Sequence, residues 1–314
     1  MHIAVMGAGA VGGYFGARLA AAGHAVSFIG RGRQLAALRE RGLEVKSAVG
    51  DVFLPSPRAT DDPGTLPPAD LVLFAVRLWD TEGAALRLRP LLAHGGAVVP
   101  LQNGVDSIER IGAVVGAAPV LGGAAHLAAT VGAPGVIVHT GTVARLRFGP
   151  VLPGQTAAAA AMLAACRSAG IDAELVPDIR RALWEKFAFV VALSGLTAVS
   201  GQPLGVVRED PELRAQFEAA MFEVWSLARA RGVALADDFV AEQLRFADTL
   251  PCAMRSSLLD DLAAGNRLEA PWLCGAVGRM AKEARVATPI NNAIQAALQP
   301  YCDGRAVTRT KETA

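Results

Sequence analysis

Hydrophobic positions change their spacing once along the chain. In the first half, short β-rich apolar runs at residues 2–6, 25–29, 70–76 and 97–101 alternate with stretches of helical spacing. Strands that alternate with helices predict βαβ units and a parallel sheet. Residues 11–22, between the first two runs, read as a helix closed by Gly23 just past its end. Residues 43–47 and 52–54 flank Gly50 and Asp51 and predict a hairpin. A second β-rich patch, 135–139 and 143–148 around Gly141, is expected to complete the edge of the sheet. After about Pro177 the strand-like alternation stops. Segments 179–199, 209–231, 237–249, 254–264, 270–285 and 289–300 then carry apolar residues at helical spacing. The pattern predicts an α/β domain over 1–177 and an all-α domain over 178–314. The alanine-rich run 157–165 is expected as a surface helix of good propensity.

Composition narrows the partners. The chain has 314 residues, 52% hydrophobic and 19% charged, enough for two domains with sizeable cores. A formal charge of +1 offers no surface for a polyanion, so nucleic acid is not an expected partner. Cys166, Cys252, Cys274 and Cys302 are widely spaced without a metal-ligand or disulfide pattern, and read as reduced thiols of a cytosolic protein. The longest apolar stretch, 187–199, is interrupted by Ser194 and Gly195 and falls short of the roughly 20 residues of a membrane span. The first residues enter a strand with no basic n-region or cleavage site, so no signal peptide is expected. A soluble, cytoplasmic protein without membrane contact follows. Its last residues, with Arg305, Arg309, Lys311 and Glu312, read as a solvated end.

The candidate chemistry begins at Gly7-Ala8-Gly9-Ala10-Val11-Gly12, which follows a strand and opens a helix. In that context Gly7 allows a tight turn, Gly9 a close approach of backbone to a pyrophosphate, and Gly12 close helix-to-strand packing. Unpaired N–H groups at the helix start then meet the phosphate charge. The second strand ends in Gly30-Arg31-Gly32-Arg33, and the first acidic residue of the chain is Glu40. The carboxylate that would take the ribose hydroxyls of NAD is therefore missing. Arg31, with Arg33 as helper, is placed for the 2′-phosphate of NADP(H).

Arg77 follows the strand at 70–76, and Asn103 with Gly104 follows the one at 97–101, so both are expected at the carboxyl ends of the sheet, where ligands lie. Asn103-Gly104 also fits an ordinary turn. Leu183-Trp184-Glu185-Lys186-Phe187 opens the longest apolar helix, with Lys186, Val190 and Ser194 on one face. A lysine there either snorkels to water or faces a cleft and exchanges a proton. Arg255-Ser256-Ser257 and Asn266-Arg267-Leu268-Glu269 bracket a later helix, and Glu269 fits equally as a charge near a helix start.

Together these residues resemble the ketopantoate reductase (2-dehydropantoate 2-reductase) family over essentially the whole chain. The matching elements are GAGAVGG, Arg31, LQNG around Asn103, HTGT with Arg145 to Gly149, WEKF around Lys186, SGLTA, RSS at 255–257 and GNRLE ending at Glu269. The resemblance implies a Rossmann domain followed by a helical domain like that of 6-phosphogluconate dehydrogenase relatives, with the active site in the cleft between them. It implies NADPH-dependent reduction of a 2-oxo acid to a 2-hydroxy acid, with Lys186 as general acid and Glu269 beside cofactor and substrate. It places Asn103, Val190, Ser194 and Ser257 at the substrate, and Arg77, Asn103, Ala128 and the residues of the glycine turn at the cofactor. Helical domains of this kind often pair, so a homodimer is an expectation, and no metal is required. Val190, Ser194 and Leu204 stand where ketopantoate reductases commonly carry asparagines. Two other readings follow: the same chemistry on a more apolar 2-oxo acid, and an NADPH-sensing regulator without catalysis.

Overall fold

The structure is a computed structural model in which residues 1–304 are described; the solvated end expected at Arg305 to Glu312 lies outside them. The chain divides into two compact units, Met1–Leu183 and the residues from Trp184 onward.

The first unit is built on two sheets. Strands β1 (His2–Met6), β2 (Ala25–Ile29), β5 (Arg58–Thr60), β6 (Leu71–Phe74) and β7 (Ala97–Pro100) form a parallel sheet in the order β5-β2-β1-β6-β7. Helices α1 (Ala10–Ala21), α2 (Gly32–Arg41), α3 (Thr81–Leu86) and α4 (Ser107–Val115) alternate with these strands. Residues of β1, β6 and β7 are buried, as expected of a sheet covered on both faces. Small residues let α1 approach closely. A Cβ on Gly16 would lie 2.6 Å from the Phe28 ring, and one on Gly13 would lie 3.1 Å from Ile137.

The second sheet departs from the expected layout. Strands β3 (Leu43–Ser47) and β4 (Val52–Leu54) do form the antiparallel hairpin, but it belongs to the second sheet, ordered β10-β9-β3-β4. The patch around Gly141 does not complete the edge of the first sheet. It is one long strand, β9 (Val136–Gly149), paired in parallel with β3 through its first half and with β10 (Asp172–Leu175) through its second. Its antiparallel partner is β8 (Gly122–Ala133), which local periodicity did not reveal because it is rich in glycine and alanine. His139 of the HTGT segment spans the irregular part of β9 around Gly141. Its ring is buried edge-on to Tyr14, with one nitrogen 2.8 Å from Ser47 Oγ and the other 3.0 Å from the Val143 carbonyl. The alanine-rich run forms α5 (Thr156–Ser168), which buries Ala159, Met162, Ala165 and Cys166.

The second unit is all α, as the spacing predicts. Helix α6 (Ile179–Ser200) begins in the core of the first unit with Ile179, Ala182 and Leu183 and continues into the second. At 22 residues and a hydropathy of 1.5 it is long and apolar enough to cross a membrane, unlike the shorter stretch read from the sequence. Of its most apolar 18-residue window 78% is buried in the protein, as for a core helix. It is followed by α7 (Leu204–Glu209), α8 (Pro211–Ala230), α9 (Phe239–Thr249), α10 (Ser257–Ala264), α11 (Cys274–Ala284) and α12 (Pro289–Leu298). The segment expected at 209–231 is α8, and the spacing does not predict the short α7 ahead of it. The Asp210 carboxylate between them caps α8 by accepting from the N–H groups of Glu212 and Leu213. The first turn of α12 is capped from a distance: the buried Glu223 carboxylate of α8 accepts from Ile290 N–H (2.7 Å), Asn291 N–H (2.9 Å) and Asn291 Nδ2 (2.7 Å).

Candidate active site

In the first unit the glycine turn lies at the carboxyl end of β1. Gly7 has φ +106°, in the region that favours glycine, and its N–H and that of Ala8 donate to the Ile29 carbonyl at 3.0 and 3.1 Å. A Cβ on Gly12 would stand 2.2 Å from the Gly7 carbonyl oxygen and 2.8 Å from a Val5 methyl. Both glycines are thus required by the protein's own packing. A Cβ on Gly9 would meet nothing within 4 Å, so there the chain leaves open space. Gly9 is the N-cap of α1, with no side-chain cap and no acid in the first turn. Ala10 and Val11, which open α1, are half-buried, and Ala8 is buried. Open space beside a helix start that carries donors and no negative charge fits a pyrophosphate. Gly12→Ala is expected to lower stability by about 1–3 kcal/mol through overpacking against backbone, measured by urea denaturation. A loss below that range would show that the turn can shift.

Arg31 is the N-cap of α2, in extended conformation, and its side chain is 78% exposed. The guanidinium meets Asp80 Oδ2 at 2.5 Å, across the end of β1. Asp80 ends the 3₁₀ turn Leu78–Asp80 after β6, and Arg77 at the start of that turn lies 5.6 Å from the centre of the Trp79 ring. Two side chains, buried Gln102 and half-buried Arg110, not singled out from the sequence, hold this loop. The Gln102 amide donates to the Val76 carbonyl and to Thr81 Oγ1, both at 2.9 Å, which ties the loop carrying half-buried Asn103 to the loop carrying Arg77. Arg110 of α4 grips Glu82 at 2.7 and 2.9 Å and the Leu78 carbonyl at 2.8 Å. That hydrogen bond holds the Glu82 carboxyl below its ordinary range. A polar residue of the LQNG motif beside the expected ligand was the available signal for Gln102; nothing local marks Arg110. Ala128 is exposed where the β8–β9 register shifts. The structure leaves Arg33 exposed on α2.

In the second unit α6 presents Lys186 and Val190, both half-buried, and Ser194, which is buried. Around Lys186 the helix is apolar: Trp184 and Phe187 pack edge to face and Ala188 is fully buried. Burial pushes the Lys186 ammonium down to about 8, and the nearby Glu269 carboxylate opposes that shift. Glu269 itself is 9% exposed and precedes the 3₁₀ turn Ala270–Trp272, where Pro271 and Arg267, set over the Trp272 ring, fix the chain. Ser257 is exposed at the first position of α10. Its neighbour Ser256 is buried, caps α10 by accepting from Leu259 N–H at 3.1 Å, and lies 2.7 Å from Thr197 Oγ1 of α6. The structure therefore assigns the two serines of the RSS motif different jobs. Leu204, one of the positions where a polar contact was expected to be lost, is fully buried and packs in the helical core. Among the described residues no cluster of three or more His, Cys, Asp or Glu side chains is arranged for a metal. All four cysteines are free thiols, and burial pushes Cys166 and Cys274 up to about 12.

Comparison with known proteins matches both units. Residues 3–153 fit the family described as "Ketopantoate reductase PanE/ApbA", and residues 178–301 its C-terminal counterpart. The chain is 28% identical to the uncharacterized oxidoreductase YkpB of Bacillus subtilis, over 96% of this chain and 99% of that protein. It is 31% identical to the 2-dehydropantoate 2-reductase of Halobacterium salinarum, over 92% of this chain and 95% of that protein. The crystal structure of 2-dehydropantoate 2-reductase from Geobacter metallireducens superposes with a TM-score of 0.90 at 31% identity, over 96% of this chain and 99% of that one. With a Rossmann-like α/β unit, an all-α unit and both family models matched in order, the chain belongs to the ketopantoate reductase family of oxidoreductases.

Proposed function

We propose that the protein reduces a 2-oxo acid to the 2-hydroxy acid with NADPH, ketopantoate to pantoate being the first substrate to test. The observation that carries this is Lys186: an ammonium held by an apolar helix, depressed to about 8, with a carboxylate nearby. An alkoxide developing at C2 needs a positive charge and a proton, and a lysine so tuned supplies both near neutral pH. Arginine, the chain's usual cation, supplies only the charge. NADPH, when bound, supplies the electron pair and hydrogen for C2. The glycine turn and α1 start would hold its pyrophosphate, Arg31 its 2′-phosphate, and Arg77, Asn103 and Ala128 the rest of the cofactor. Lys186 gives its proton to the substrate oxygen, and Glu269 keeps the ammonium form available and oriented. Asn103 and Ser257 contact the substrate, flanked by Val190 and Ser194. A place in pantothenate biosynthesis and a cytoplasmic location accompany this reading.

A second substrate reading rests on Val190. It is half-buried on the lysine face one turn beyond Lys186, where an apolar side chain cannot hydrogen-bond a substrate hydroxyl. A more apolar 2-oxo acid fits that position. Loss of NADPH absorbance against ketopantoate and a panel of 2-oxo acids tests both readings. Turnover with none of them, despite NADPH binding, would overturn both and leave a regulator.

Arg31→Ala is expected to weaken NADPH binding about 10–100-fold, the worth of charge-assisted hydrogen bonds to a phosphate, with little effect on NADH. Titration of nucleotide fluorescence measures this, and equal losses for the two nucleotides would remove the 2′-phosphate assignment.

A further inference from the structure

We propose that Asp80 sets the cofactor preference by competing with the 2′-phosphate for Arg31. The proposal rests on the reading of Arg31 as the 2′-phosphate site. Strands β2 and β6 lie on either side of β1, so the Arg31–Asp80 pair reaches across the end of the strand that carries the glycine turn. Gln34 of α2 donates to the Ala8 carbonyl at 3.0 Å, which fixes the Arg31 side of this span to the turn itself. The pair is open to incoming ligand, since Arg31 is 78% exposed and Asp80 28%.

Both anions want the same group. A guanidinium presents one planar fork of donors, and a carboxylate or a phosphate can fill it. The main chain that carries Asp80 is held in place. Its N–H donates to the Arg77 carbonyl at 2.9 Å, its neighbour Thr81 is bonded to Gln102, and the Leu78 carbonyl is held by Arg110. A 2′-phosphate, with a charge of roughly −1.5 to −2, must therefore take the guanidinium from a carboxylate that stays close by. A ribose with a 2′-hydroxyl brings no charge that competes for the guanidinium. The anchored carboxylate thus lowers affinity for NADPH and leaves affinity for NADH nearly untouched.

The test is binding, not turnover. NADPH and NADH are titrated by fluorescence against wild type, Asp80→Asn and Arg31→Ala, with thermal unfolding alongside. Asp80→Asn is expected to tighten NADPH binding about 3–10-fold and to change NADH binding by less than about twofold, the scale of an exposed pair and a nearby like charge. Weaker NADPH binding, or equal changes for both nucleotides, would overturn the proposal, because Asp80 would then orient Arg31 or merely shape the surface. Asp80→Ala repeats the measurement without a side-chain donor that could reach the phosphate, and the same outcomes decide it. Arg31→Ala separates this proposal from the reading beneath it. Equal losses there overturn the 2′-phosphate site and the proposal with it. Selective loss there, with an unchanged ratio in Asp80→Asn, overturns the proposal alone.

Discussion

Lys186→Ala is expected to lower kcat on the best 2-oxo acid by about 10²–10⁴-fold, the range a positioned proton donor contributes, while NADPH still binds. Lys186→Arg should not restore activity, because a guanidinium keeps the charge but does not give up a proton near neutral pH. The sign of the pH dependence follows from the group at work. The ammonium is the acid, and burial depresses it to about 8. Activity should therefore be level below that value and fall as pH rises through it, about tenfold per unit once most of the lysine is neutral. Glu269 opposes the depression, so Glu269→Gln should move the falling limb to lower pH. A profile of kcat/KM against pH for the wild type and the three variants measures this. Turnover retained in Lys186→Ala would assign the proton to another group, and a limb unmoved in Glu269→Gln would remove the carboxylate from the electrostatics of the site.

The second large effect is on stability. Glu223→Ala is expected to cost about 3–5 kcal/mol, because three donors that now meet a buried carboxylate are left facing a cavity. Two of them are N–H groups in the first turn of α12, where the helix end also favours negative charge. A loss of that size lowers Tm by roughly 10 °C in a protein of this length. Glu223→Gln keeps one acceptor and the side-chain shape, and should fall between the two. Denaturation in urea with both variants checks the order. A cost under about 1 kcal/mol in Glu223→Ala would show that water replaces the carboxylate.

Individual elements show how far the chain can be read locally. The spacing places every long helix of the second unit to within a few residues, since a helix that buries one face repeats near every 3.6 positions. It misses the short α7, which ends at Glu209 just before the capping acid Asp210 and Pro211 start the next helix. Strand β8 is missed because glycine and alanine give no alternation to detect. Of the site, Lys186 and Glu269 are legible as candidates, and the structure adds that their charges interact. Ser256 and Ser257 are indistinguishable in sequence, and only their burial separates the cap from the exposed residue.

By itself the sequence determined the class of each half, the glycine turn and the missing acid after β2. Those depend on periodicity, on the backbone angles a residue tolerates and on which side chain stands at a strand end, all of them local. Tertiary structure decided the rest: β9 in a second sheet, Arg31 joined to Asp80 from 49 positions away, Glu223 capping a helix 68 positions on, and the depressed Lys186 ammonium. The physical reason is common to all four. Strand partners, ion pairs and desolvation are set by what the fold brings within a few ångströms, and a chain's local pattern carries no record of which distant neighbours arrive there.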